Sequence, residues 1–143
     1  MTILAVYEDD LTYHVAERLF KRVAVAAESD YELHLTLRSF DLLADPELGT
    51  QAANFARVAD LVLVSAYRHG RWPRAVRQWL ELWAGADPAQ HGGLAALLVR
   101  SPAGAHAADE RCASLEHLAR VSGRDFFFAK DIILGTREVQ SSL

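Results

Sequence analysis

The residues of this chain best equipped for chemistry lie in two short stretches. "VYEDDLTYH", Val6–His14, sets three consecutive carboxylates, Glu8, Asp9 and Asp10, where an apolar run gives way to an amphipathic one. "YRHGRWPR", Tyr67–Arg74, gathers Arg68, Arg71 and Arg74 with His69 and Trp72 around Gly70 and Pro73. A junction of strand and helix attracts anions, because free N–H groups and the helix dipole present partial positive charge there. Acids in the first stretch oppose that. Asp9 or Asp10 can cap the helix itself, which stabilises it by roughly 0.5–2 kcal/mol. An arriving phosphate would then meet like charge, at a cost on the order of several kcal/mol near a protein surface. In the second stretch Trp72 can stack on a planar ligand or anchor a subunit contact. The arginines around it supply positive charge at the same edge.

Other candidate chemistry is thinner. His69 and His106 fall in loops that the elements below bring towards Asp9 and Asp10, a donor set suited to Zn²⁺ or Fe²⁺. No His-Glu-x-x-His spacing accompanies them, so they read as solvated loop histidines and no metal site is assigned. Cys112 repeats with Leu115 and Ala119 at helical spacing, which makes it core packing rather than a nucleophile. Ser65 and Ser101 lack the Gly-x-Ser-x-Gly elbow. No residue is assigned a catalytic role.

The elements that must position these residues follow from periodicity. "TILAVY" reads as a buried strand, and Leu11, Val15, Leu19, Val23 and Ala26 recur at helical spacing after it. "YELHLTL" alternates as a strand, "RSFDLLADPELG" reads as a loop punctuated by Pro46 and Gly49, and "TQAANFARVA" as a short helix. "DLVLVSAY" is the continuous apolar run of a central parallel strand. "WPRAVRQWLELWAG" has the proline-first, glycine-last asymmetry of a helix, with Val76, Trp79, Leu80 and Trp83 as its core stripe. "GGLAALLVRS" follows as a strand, "AADERCASLEHLARVSG" as a helix and "DFFFAKDIIL" as a fifth strand.

Strands alternating with helices imply parallel βαβ units with right-handed crossovers. Five of them predict a flavodoxin-like three-layer α/β sandwich with strand order 2-1-3-4-5, whose ligands sit at the carboxyl ends of the strands. The remaining "GTREVQSSL" is too short and polar for a good fifth helix, so that helix is expected to be short or missing. Apolar side chains of strands four and five are then under-covered, and a second copy of the chain could cover them. The C-terminal tail itself is the other candidate cover, and a homodimer is the expectation.

With 143 residues the chain fits a single domain, residues 1–143. A formal charge of −4 argues against nucleic acid as a partner. The single cysteine and the short N-terminal apolar run suit a cytoplasmic protein without a membrane segment.

"ADLVLVSAYRHGRWPRAVRQWLELW", Ala59–Trp83, resembles the central segment of the NADPH-dependent FMN reductase family. That family has an Ala-Asp pair before strand three, a Pro-Glu-Tyr-Asn-Gly loop after it, and a proline opening the next helix. Gly70, Pro73, Ala75, Val76, Arg77, Gln78, Leu80 and Glu81 fall into register with it once one residue is deleted before Tyr67. "LRSFDLLADPE" and "VRSPAGAHAA" look like the family's segments after strands two and four. The resemblance implies FMN as cofactor and NAD(P)H as electron donor. It places flavin contacts at Tyr67, Arg68, His69, Gly70 and Trp72, at Ser101 and Gly104, and at Thr12 in the first loop. The family's first loop, of Gly-Ser-x-Arg-x-x-Ser-x-Asn type, is here cut to "YEDDLT", where Thr12 alone keeps a hydroxyl. FMN binding is therefore expected to be weakened or lost. The alternative is a cofactor-free interaction or dimerisation domain, or a receiver-like signalling domain. "GRDFFFAKDI" resembles the end of a receiver, with Lys130 at its active-site lysine and Ser101 near its small hydroxyl residue, but Ser65 stands where a receiver needs the phospho-accepting aspartate.

Overall fold

The computed structural model describes residues 1–27, 32–84, 92–100 and 110–128. Five parallel strands, β1 (Thr2–Tyr7), β2 (His34–Ser39), β3 (Leu61–Tyr67), β4 (Gly93–Val99) and β5 (Asp125–Phe128), form one sheet in the order β2-β1-β3-β4-β5. This is the flavodoxin-like order that the alternation of strands and helices predicts. In register, Tyr7 at the end of β1 lies between Ser39 of β2 and Ser65 of β3, and Tyr67 pairs with Val99 of β4. The strand ends thus form one edge, with the stretches around Glu8 and Gly70 side by side.

Alternation along the strands divides the core in two. Leu4, Val6, Val62, Val64, Leu94 and Ala96 face one helical layer, while Ala5, Leu63, Ala95 and Leu97 face the other way. The first layer holds α2 (Phe40–Leu43), α3 (Pro46–Val58), α4 (Arg74–Ala84) and α5 (Glu110–Ser122). Among the described residues the second layer is α1 alone (Asp10–Ala27), packed through Ala16 and Leu19. Phe127, in register with Ala95 on that second face, is 47% exposed. The final stretch, where the fifth helix was expected to be short or missing, lies outside the described residues. No helix among the described residues is long and apolar enough to cross a membrane.

One expectation is corrected. "RSFDLLADPELG" is not a loop: it carries α2 and the start of α3. Ser39 caps α2 through the Leu42 N–H, and Asp45 caps α3 by accepting from the Glu47 and Leu48 N–H groups at 2.9 and 3.0 Å. Pro46 begins α3, where its missing N–H costs nothing. Gly49 is the fitting partner of that turn, since a Cβ there would come within 2.7 Å of the Leu43 carbonyl oxygen. The punctuation residues mark a helix start and a close helix approach rather than a break.

Candidate functional site

The connection from β1 to α1 is only two residues long, Glu8 and Asp9. Asp9 is the helix cap, and its Oδ1 accepts from the Thr12 N–H at 3.0 Å. Thr12 answers reciprocally: its Oγ1 accepts from the Asp9 N–H at 2.8 Å and from the Glu8 N–H at 2.9 Å. This is a capping box, with threonine in the place usually taken by Glu or Gln. Thr12 is fully buried, and its own carbonyl accepts from the buried Ser65 hydroxyl at 2.7 Å. Burial pushes the Asp9 carboxyl up, but hydrogen bonds from the Thr12 N–H, the Tyr67 hydroxyl, the Thr12 hydroxyl and the Leu11 N–H outweigh it and hold Asp9 below its ordinary value. Tyr67 shifts the other way. Its hydrogen bond to Asp9, then burial and the charges of Asp9 and Glu8, raise the phenol.

Glu8 reaches across the strand ends. Its Oε1 accepts from the Tyr67 N–H at 3.1 Å and from Arg111 Nη1 at 2.7 Å. Arg111 enters from the first turn of α5 and is 4% exposed. Its guanidinium also donates to the carbonyls of Tyr67 at 3.0 Å, Gly70 at 3.3 Å and Arg71 at 2.9 Å. It stacks over the Trp72 ring, 4.6 Å from the centroid. The Trp72 indole N–H donates to Ser114 Oγ at 3.3 Å, and Phe40 meets the ring edge-on. One buried cation therefore ties together the β1 exit, the β3–α4 connection and α5. Gly70 makes this path possible with φ at 101°, a conformation that side chains rarely adopt, turning its carbonyl towards Arg111.

Of the residues singled out from the sequence, Thr12, Tyr67, Arg68, His69, Gly70 and Trp72 all lie at this edge. Arg68 continues the ladder by donating its N–H to the Val99 carbonyl at 2.8 Å. Both ring nitrogens of His69 are buried without a hydrogen-bond partner among the described residues. Ser101, Gly104, His106 and Lys130 lie outside the described residues. No group of three or more potential metal ligands occurs among the described residues. Cys112 is half-buried against the core, beside the stripe of Arg111, Leu115 and Ala119.

The sequence reading missed Arg111 and credited the local positive charge to Arg68, Arg71 and Arg74. A signal was present: Arg111 stands four residues before Leu115 and eight before Ala119, on the buried face of α5. A guanidinium on a core stripe must find partners.

These groups do not fit an FMN phosphate at the start of α1. The N–H groups of Glu8, Asp9 and Thr12 are already spent on Thr12 and Asp9 side chains, and three carboxylates border the position. Thr12, the hydroxyl carried over from the resemblance, turns inward. The Tyr67 N–H, at the loop expected to meet the isoalloxazine, is taken by Glu8.

No family model matches the chain, and no curated protein matches it either. Solved structures do. A short-chain flavodoxin associated with a PDU bacterial microcompartment superposes with a TM-score of 0.60 at 14% identity, covering 88% of this chain and 78% of that one. The flavodoxin of Streptococcus pneumonia TIGR4 gives 0.55 at 15% identity, covering 88% and 79%. The fold is flavodoxin-like.

Proposed function

We propose that this chain is a flavodoxin-like binding domain in which phosphate-anchored FMN binding is lost. The flavin carries the hydride chemistry in such proteins, so that chemistry is present only to the extent that a flavin is held. The observation that carries the reading is the Asp9–Thr12 capping box in a two-residue connection. It occupies the N–H groups that would otherwise receive a phosphate, and it does so with negative charge. At about 5 Å and an effective dielectric near 20, a carboxylate without a cationic partner, such as Asp9, opposes a unit of phosphate charge by about 3 kcal/mol before screening.

Titration of the purified protein with FMN and with riboflavin, followed by flavin fluorescence, tests this. Either no saturable quenching, or equal affinity for the two flavins, is expected, because the phosphate gains nothing here. Equal affinity would leave Tyr67, Arg68, His69, Gly70 and Trp72, with Ser101 and Gly104, as contacts for the ring system alone. FMN binding at least tenfold tighter than riboflavin overturns the proposal.

Self-association is part of the same reading. Phe127 is exposed on the face that α1 alone covers among the described residues, which favours pairing with a second copy through strands β4 and β5.

A further inference from the structure

On the layer opposite α1, between the β3–α4 connection and the first turns of α5, lies an open cleft of about 270 Å³. Arg71, Trp72 and Arg77 line it on one side, and Glu110, Arg111 and Ser114 on the other. Its wall is built in advance. Arg111 pins the Arg71 carbonyl, and Ser114 holds the Trp72 indole, while the Arg111 charge is already matched by Glu8. The charges that remain are uncommitted: Arg71 and Arg77 are exposed, and neither they nor Glu110 forms an ion pair among the described residues. In a chain of net charge −4, two arginines with no ion pair among the described residues border one cleft.

We propose that this cleft binds inorganic phosphate, whose hydrogen phosphate form keeps one proton at neutral pH. The guanidiniums of Arg71 and Arg77 take the charged oxygens, for which their planar forks are suited. Glu110, which would repel an oxyanion that has no donor, accepts the remaining P–OH hydrogen. The requirement for that donor separates phosphate from sulfate, which has the same shape and no proton to give at neutral pH. This site stands apart from the phosphate position at the start of α1, although Gly70 and Trp72 border both the cleft and the loop offered to a flavin ring, so the titrations are made on flavin-free protein.

Isothermal titration at low ionic strength, with inorganic phosphate and with sulfate, is the test. Saturable phosphate binding is expected, with sulfate at least fivefold weaker. Arg71→Gln and Arg77→Gln should each weaken phosphate binding about tenfold, the worth of one charge-assisted contact. Arg18→Gln removes the same charge from α1 and should leave affinity unchanged. In an amide correlation spectrum the Trp72 indole N–H, assigned with Trp72→Phe, should shift on titration. The absence of saturable binding, equal binding of sulfate, or an equal loss in Arg18→Gln overturns the proposal.

Discussion

Replacing Glu8 by alanine would leave the Arg111 guanidinium buried without its counter-charge. The Arg111 and Glu8 side chains are 5% and 24% exposed, with a 2.7 Å contact between them. Breaking such a pair from one side typically costs about 3–5 kcal/mol, most of it the penalty of the stranded charge. Three carbonyls still hold the guanidinium after the substitution, which argues for the low end. The Tyr67 N–H also loses its acceptor, which adds to the cost unless water replaces the carboxylate. A net loss of about 3 kcal/mol is expected, within the roughly 5–15 kcal/mol that a domain has in total, so the variant should still fold. At a slope of about 2 kcal/mol per molar urea, the unfolding midpoint should fall by about 1.5 M. Glu8→Gln keeps an oxygen for the Tyr67 N–H and should fall between the two. Arg111→Met added to Glu8→Ala should recover part of the loss, because it removes the stranded charge. A midpoint shift under about 0.5 M for Glu8→Ala would show that the pair is solvated and that the argument from burial is wrong.

The capping box should behave as one unit: Asp9→Ala and Thr12→Ala should each cost about 1 kcal/mol or more, and the double variant less than their sum in urea melts. Because the Asp9 carboxyl is lowered in the folded state, its stabilisation is fully present above the ordinary carboxylate range and is lost as pH falls through the folded value; Asp9→Asn should flatten that part of an acid-unfolding profile. Tyr67 has the opposite sign: a phenol raised by folding contributes below about pH 10 and loses its contribution as pH rises, so Tyr67→Phe should lessen the alkaline loss of stability. Phe127→Ser should shift the sedimentation of the protein towards monomer at micromolar concentration, with its far-UV spectrum unchanged, and an identical sedimentation profile would count against pairing through β5.

The sheet was legible because its central strands are continuous apolar runs bounded by helical periods. "LAV" in β1, "VLVSA" in β3 and "LAALL" in β4 are buried on both faces, and only parallel strands between two helical layers need that. The start of α3 was not legible, because Pro46 and Gly49 have the same appearance in a loop and in a helix start. What distinguishes the two is the Asp45 cap and the Leu43 carbonyl packed against Gly49, and the second of these is a tertiary contact. The acidic first loop was legible in kind: a carboxylate caps α1, and the residue is Asp9. Its partner was not, since Thr12 looks like a ligand hydroxyl until its direction is known. Glu8 and Arg111 are 103 residues apart, and no local pattern announces a pair at that distance.

That pair also explains why the acids do not simply repel one another at the strand ends. Asp9 spends its charge on the helix start and Glu8 spends its own on Arg111, so of the three consecutive carboxylates only the exposed Asp10 faces solvent without a described partner. In a flavin-anchoring version of this edge the ligand would supply the negative charge, and the protein would supply hydroxyls and free N–H groups to receive it. Here both halves of that exchange come from the chain itself. The edge is consequently preorganised without a ligand, and the rigidity that a cofactor would otherwise lend to the Tyr67–Trp72 segment comes from Arg111. A fold arranged in this way can present Arg71 and Arg77 from a fixed backbone, which lowers the ordering cost of binding at the neighbouring cleft.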